Sequence, residues 1–430
     1  MITEQIAFLS KEKIQFLQEK KLQELLVYLN AHSPFYKRLF SEKKINIAEI
    51  RSLSDMAKLP TTNKEDLQKH NDDFLCVPKD AIAEYTSTSG TLGNPVVISL
   101  TENDMLRLAY NEYQSFVTAG ATHKDIFQLM LTLDRQFMAG IAYHSGLRKL
   151  GAGIIRIGPG VPSLQWETII KLQPTAIIAV PSFILKLIDY AKNTGIDINK
   201  TSVKKAICIG ENIRNQDFSL SVLGRKITES WNIQLYSTYA STEMQTAFTE
   251  CSEGCGGHHQ PDLLIVELLN ENGEQVKAGE YGEVTITTLG VEAMPLLRYR
   301  TGDISKYIDE PCACGRNTLR LSPIYGRKRQ MIKFKGTTLY PPALFELLNE
   351  MKEVQDFVVE VYSNAIGLDE VLLHVLPTEK SEETDHRLRA GLQARLRVSP
   401  HVRYVSAEEI QKMQFVETSR KPIKFIDRRQ

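Results

Sequence analysis

The chain has 430 residues, 42% of them hydrophobic and 24% charged, which is ordinary for a globular protein with chain enough for about two domains. Lysine plus arginine and aspartate plus glutamate balance at 52 each, so no bulk field draws the protein to nucleic acid or to an anionic membrane. No apolar run reaches membrane-spanning length, and the start Met1-Ile2-Thr3-Glu4-Gln5 lacks the basic and apolar regions of a secretory signal, so a cytoplasmic protein is expected.

From Lys11 to Leu29 apolar residues recur at helical spacing (Ile14, Leu17, Leu22, Leu25, Leu26, Leu29), which predicts an amphipathic helix leading into Ser33-Pro34-Phe35-Tyr36. Between about residues 80 and 235, short apolar runs such as Ile126–Met130, Gly153–Ile157, Ala176–Val180 and Lys205–Ile209 alternate with helical stretches. Each run ends in a turn signal, and the pattern predicts an α/β sheet with helices on both faces. From residue 260 the pattern changes to short strands, Leu263–Leu268 and Gly282–Thr287, joined through Asn270-Glu271-Asn272-Gly273; this predicts a β-rich subdomain. After Gly326 two alternating strands (Phe357–Val361 and Val371–Val375), a helix near Glu383–Leu396 and a strand at Val402–Val405 predict a small α+β unit. The expected organisation is a large α/β N-terminal domain over residues 1–326 and a small mobile α+β domain over 327–430, with the hinge near Arg327–Arg329.

The segment Thr86-Ser87-Thr88-Ser89-Gly90-Thr91-Leu92-Gly93-Asn94-Pro95 concentrates hydroxyls and glycines just before a strand pattern. Glycine lets backbone N–H groups approach an anion, and the hydroxyls add donors, so the composition suits a loop around a polyphosphate. No Gly-Lys-Ser/Thr follows, so it is not a Walker loop; a plain surface linker is the competing reading. Of six cysteines, Cys76 and Cys208 stand alone in apolar surroundings and read as small core residues. Cys251 with Cys255, and Cys312 with Cys314, form close pairs near His258 and His259, a donor set suited to structural zinc or, without metal, to buried thiols.

Further motifs lie downstream in a fixed order. They are Tyr239-Ala240-Ser241-Thr242-Glu243, Arg300-Thr301-Gly302-Asp303, Gly326-Arg327-Lys328-Arg329-Gln330-Met331-Ile332-Lys333 and the C-terminal Lys421. Together with the Ser89–Pro95 loop, Pro34-Phe35-Tyr36 and Leu59-Pro60-Thr61-Thr62-Asn63-Lys64, this series resembles the phenylacetate–CoA ligase family of adenylate-forming enzymes from end to end. The resemblance implies a fold with a large adenylation domain and a mobile C-terminal domain, and an ATP-, Mg²⁺- and coenzyme A-dependent ligase for an aryl or arylacetic acid. A different acid, or an amine, alcohol or carrier-protein thiol as acceptor, is the alternative; a zinc-stabilised binding protein without catalysis is a third. Self-association into a homodimer stays open.

Carried over residue by residue, the resemblance assigns Ser89, Gly90 and Thr91 to pyrophosphate and Gly210, Glu211 and Asn212 to the purine. Tyr239 would stack near adenine, flanked by Ala240 and Ser241, with Thr242 on an α-phosphate oxygen and Glu243 on Mg²⁺. Asp303 would accept from the ribose hydroxyls, although Thr301-Gly302-Asp303 also reads as a plain turn, and Arg327 would reach ribose or phosphate. Phe137, Met138, Ala139, Gly140, Ile141 and Tyr143, with His144 following, match a segment lining the acid site, although a buried packed helix explains them equally. Lys421 is the adenylation lysine, with Lys424 as the alternative register. Relatives with a similar Cys-x-Cys-Gly point to zinc on Cys251, His258, Cys312 and Cys314, with Cys255 competing for one place. Asn94 stands where the family has lysine and Arg329 where it often has aspartate.

Overall fold

Residues 6–88, 96–334, 337–364, 368–396, 400–415 and 422–429 are described by the computed structural model. The chain divides into two units, Met1–Thr301 with Ser305–Ile324, and Gly302–Ile304 with Tyr325–Gln430. No described helix is long and apolar enough to cross a membrane.

In the first unit, helix α1 (Lys11–His32) buries Ile14, Leu22, Leu25, Leu26 and Leu29 of the expected stripe, while Leu17 is half-buried and Gln18 is buried beside it. Ser33 stops it and opens α2 (Pro34–Glu42) by accepting a hydrogen bond from the Tyr36 amide. A capping box between Asn63 and Asp66 then starts α3 (Lys64–Lys69). Strands β1 (Glu84–Ser87) and β2 (Val97–Leu100) pair antiparallel, and Thr88 closes their stem by exchanging backbone and hydroxyl hydrogen bonds with Val96.

The chain next alternates through α4 (Glu102–Thr118), β3 (Ile126–Leu129), α5 (Met138–Leu150), β4 (Gly153–Arg156), α6 (Pro162–Leu172), β5 (Ala176–Ala179), α7 (Pro181–Thr194), β6 (Lys205–Ile209), α8 (Val222–Ser230) and β7 (Gln234–Ser241). It continues with β8 (Thr246–Glu250), β9 (Gly257–His258), β10 (Leu264–Leu269), β11 (Gly282–Thr288), β12 (Tyr299–Ser305), β13 (Tyr307–Ile308) and β14 (Arg320–Leu321). Nine strands form one sheet in the order β13-β14-β9-β8-β7-β6-β5-β3-β4, parallel from β4 to β7 and antiparallel beyond.

Successive residues of its central strands face opposite sides. Ile177, Ala179, Ala206 and Cys208 join Trp166, Ile184 and Trp231 under α6, α7 and α8. Ala176, Ile178, Ile207 and Ile209 join Phe116, Tyr143 and Leu147 under α4 and α5. Burial on both faces is why these strands read as unbroken apolar runs. The β-rich stretch expected after residue 260 is only partly a separate body. Strands β10 and β11 pair with each other, but β13 and β14 return to the main sheet, against β9.

In the second unit, Asp303 and Ile304 of β12 pair with β15 (Gly326–Arg327). There follow the hairpin β16 (Ile332–Phe334) and β17 (Thr337–Leu339), then α9 (Pro341–Glu350), β18 (Val354–Ser363), β19 (Asp369–Pro377), α10 (Glu382–Leu396), β20 (His401–Tyr404), α11 (Ala407–Gln414) and β21 (Phe425–Asp427). The sheet order is β20-β19-β18-β21. Phe357, Val359, Val371 and Leu373 pack under Leu344, Leu348, Leu388 and Leu392 from α9 and α10, while Val358 faces Ile410 of α11.

Candidate active site and metal centre

Neighbouring parallel strands β6 and β7 end side by side, with Ile209 opposite Thr238, so the loops that follow them share one edge of the sheet. That is where open α/β sheets hold ligands. Gly210 turns the chain with φ +78°, and Tyr239–Ser241 close β7 against β8. The tip of this hairpin is held from behind: Arg107, buried on α4, donates to the carbonyls of Gln245, Leu263 and Leu289. Tyr239, Ser241, Thr242 and Glu243 are half-buried and Ala240 is exposed, so the motif is open to a ligand. The Thr242 and Glu243 side chains have no hydrogen bond or ion pair among the described residues, and a free carboxylate at this edge fits a hard cation.

The side chains of the β6 loop are already engaged. Glu211 accepts from the Ser182 amide at 2.8 Å and its hydroxyl at 2.9 Å, capping α7 where Val180 has no capping side chain. Asn212 donates to the Ile324 carbonyl at 2.8 Å. What remains for a purine at Gly210–Asn212 is chiefly backbone.

The segment expected to line an acid pocket divides by helical face. Phe137 is the N-cap of α5, and Phe137, Ala139, Ile141 and His144 are half-buried. Met138, Gly140 and Tyr143 are buried on the inward face of the helix. A Cβ on Gly140 would meet the Thr132 carbonyl oxygen at 2.2 Å, which makes glycine a requirement of the helix's approach to the loop after β3. The Tyr143 ring lies 6.0 Å from that of Phe116, tilted by 59°, inside the core. Beside it, Glu112 of α4 is buried, takes a hydrogen bond from Asn111 at 3.0 Å, and is pushed up to about 8 by burial. On sequence it reads as one more charged residue of an amphipathic helix, and nothing in the spacing sets it apart.

Thr301-Gly302-Asp303 is not a turn: it lies inside β12, kinked at Gly302 with φ +80°. Asp303 is buried and accepts from Arg327 Nε at 2.9 Å, so two of the expected nucleotide ligands are paired with each other. Lys424, the alternative adenylation lysine, is ion-paired with Asp356 and lies over the Phe357 ring at 4.4 Å. The Arg329 carbonyl accepts from Arg429. Ser89, Gly90, Thr91, Asn94 and Lys421 lie outside the described residues.

Cys251, His258, Cys312 and Cys314 place their ligand atoms within 4.8 Å of one another. Cys251 Sγ is 3.7 Å from Cys312 Sγ, and Cys314 Sγ is 3.5 Å from His258 Nε2. The opposite ring nitrogen of His258 bonds the Thr318 hydroxyl at 2.8 Å, which leaves Nε2 to face the sulfurs. Three thiols and an imidazole at these separations fit tetrahedral zinc with no open position. Cys255 instead points its sulfur to the Glu253 carbonyl, so the histidine and not this cysteine completes the cluster. The cluster's residues follow β8, sit on β9 and precede β14, so they tie together strands toward one end of the main sheet. Next to it, buried Glu250 holds Arg214 at 2.9 Å.

A family model described as AMP-binding enzyme matches residues 10–293. The phenylacetate-coenzyme A ligase of Thermus thermophilus is 29% identical over 408 residues, covering 91% of this chain and 90% of the relative. The enzyme of the same name from Escherichia coli K12 is 27% identical over 394 residues, covering 90% and 88%. Among solved structures, a 2-hydroxyisobutyryl-CoA ligase in the postadenylation state superposes with TM-score 0.85 at 21% identity, covering 98% of this chain and 91% of that one. A benzoate CoA ligase from Burkholderia xenovorans LB400 gives 0.59 at 16% identity, covering 80% and 68%. With two thirds of its length inside that family match and its fold shared with these ligases, the chain belongs to the AMP-binding enzyme family.

Proposed function

We propose that the protein is an AMP-forming acid–thiol ligase that activates an arylacetic acid, phenylacetate first among them, and transfers the acyl group to coenzyme A. The observation that carries this reading is the likeness to phenylacetate-coenzyme A ligases across nine tenths of the chain, with Gly210–Asn212 and Tyr239–Glu243 on one sheet edge.

In the first half-reaction a carboxylate oxygen attacks the α-phosphorus of ATP and pyrophosphate leaves. Two anions must meet, so the residues near the phosphates have to hold them in line and offset developing charge. Thr242 would donate to an α-phosphate oxygen, Tyr239 would cover the adenine, and Asp303 with Arg327 would bind the ribose. Ser89, Gly90 and Thr91 would receive the pyrophosphate, and Lys421 would bridge the carboxylate and the α-phosphate. Glu243 would hold Mg²⁺, which supplies charge neutralisation on the phosphates. In the second half the coenzyme A sulfur attacks the acyl carbon, its proton goes to solvent, and AMP leaves. Phe137, Ala139 and Ile141 would offer the acid an apolar wall. With Mg²⁺ and no coenzyme A, pyrophosphate release is expected with arylacetic and benzoate-like acids. Release with no aromatic acid at millimolar concentration would overturn the reading.

Zinc is proposed as a structural ion on Cys251, His258, Cys312 and Cys314. Cys251 directly follows β8, five residues on from Thr246 and so about 17 Å from it at the strand rise. About one zinc per chain is expected in protein purified without chelator. Cys312→Ser should lower zinc content and melting temperature together, while the surviving folded fraction binds ATP near normally. Zinc-free wild-type protein, or loss of zinc without loss of stability, would contradict this.

A further inference from the structure

Two residues of the metal cluster, Cys312 and Cys314, sit on a tight turn that Gly315 closes, donating its amide to the Cys312 carbonyl at 2.9 Å with φ +83°. Cys251, His258 and Cys312 are buried, and Cys314 alone of the four is half-buried. The approach from solvent to the metal position is therefore by way of Cys314.

The segment ahead of α1 covers that turn. Ile6–Phe8 form one 3₁₀ turn, and three consecutive residues after Cys314 meet it or its flank. A Cβ on Gly315 would lie 3.6 Å from the Phe8 ring, so ring and backbone are nearly in contact. The Arg316 guanidinium lies over the same ring at 5.0 Å. The Asn317 amide donates to the Ala7 carbonyl at 2.8 Å, and its side chain to the Leu9 carbonyl at 3.1 Å. Lys11, in the first turn of α1, pairs with Asp309 at 2.8 Å, so the segment is fastened on both sides of the cysteine pair. Thr318, next after Asn317, is the residue that bonds the His258 ring.

A packed terminal segment is ordinary in itself. What sets this one apart is where its aromatic side chain goes. Phe8 stays 43% exposed and lies on the turn of the least buried ligand instead of entering the core. Arg316 joins the two, because its backbone and side-chain N–H groups turn to Cys314 while its guanidinium covers Phe8. Zinc on three thiolates and a neutral imidazole leaves a net negative charge, which favours an arginine in that place. We propose that Ile6–Leu9 is a strap over the metal centre, and that its docking on Gly315–Asn317 holds Cys314 in place and slows the loss of zinc. A thiolate must swing away before a competing donor can replace it, and the least buried one has the most room to do so. The strap acts only on zinc bound to the four residues proposed above.

The test is the rate at which an excess of a chromogenic chelator takes zinc from full-length protein whose zinc content has first been counted. Phe8→Ala is expected to release zinc at least about threefold faster than wild type, through loss of the cation–π contact and its packing. Phe8→Tyr keeps the ring and should stay within about 1.5-fold of wild type. With zinc in excess, both variants should melt where wild type does. Release from Phe8→Ala within about 1.5-fold of wild type would overturn the strap, as would equal acceleration in Phe8→Tyr. A melting temperature that falls in step with the faster release would also overturn it, by giving Phe8 a general structural role. Should Phe8→Ala not fold, Asn317→Ala, which frees the Leu9 carbonyl, is read against the same limits. Failure of the metal reading is seen separately: wild-type protein that takes up no zinc overturns both, whereas zinc that is held and released without regard to Phe8 overturns the strap alone.

Discussion

Lys421→Ala is expected to slow adenylation by about 10²- to 10³-fold while leaving thioester formation from a synthetic acyl-adenylate and coenzyme A close to wild type. The charge that the lysine would offset exists only while the carboxylate and the α-phosphate approach each other, so the second half-reaction does not need it. The alternative register at Lys424 is testable in the same assay. Lys424 is already ion-paired with Asp356 and packed over Phe357, within a unit whose core surrounds Phe357. Lys424→Ala should therefore lower the melting temperature and leave the ratio of the two half-reactions unchanged. A selective adenylation defect in Lys424→Ala, or equal loss of both halves in Lys421→Ala, would show the assignment to be wrong.

The second large effect concerns stability. Glu112 is held neutral by burial, with its carboxyl pushed up from 4.5 to about 8. The unfolded chain therefore releases this proton at lower pH than the folded protein does, and stability falls as pH rises through the interval between the two values. Over the span from pH 4.5 to 7 the group costs roughly 3 kcal/mol. Glu112→Gln keeps the shape and the hydrogen bond with Asn111 while removing the ionisation. The variant is expected to gain on wild type steadily as pH rises from 5 to 8, in denaturant unfolding measured at each pH. A difference between the two that does not change with pH would contradict the account. A Cβ on Gly146 would lie 2.3 Å from that of Glu112, so α4 and α5 leave no room for the carboxylate to reach water at this crossing.

The parallel half of the main sheet was legible because its strands are covered on both faces, and runs such as Ala176–Ala179 carry only small and branched apolar residues. Strand β8, Thr-Ala-Phe-Thr-Glu, was not: its polar members are buried by pairing rather than by hydrophobicity, Thr249 with Thr238 at 3.0 Å and Glu250 with Arg214. The close cysteine pairs and neighbouring histidines singled out the residues that the fold gathers, and the resemblance chose His258 over Cys255 among them. The placement of the cluster within the main sheet depends on β13 and β14 returning past β10 and β11, a long-range pairing with no local signal. The facing of the acid-site segment was not legible for a related reason. Phe137–Tyr143 is one helix, and which of its faces looks outward is set by Thr132 and Glu112 packed behind it, not by its own composition.

The most direct measurement of the central claim is product stoichiometry from wild-type protein given ATP, Mg²⁺, phenylacetate and coenzyme A. The account predicts phenylacetyl-CoA, AMP and pyrophosphate in equal amounts, with pyrophosphate still released in a single turnover when coenzyme A is omitted. ADP and phosphate in place of AMP and pyrophosphate, or no nucleotide consumption with any arylacetic acid, would contradict it.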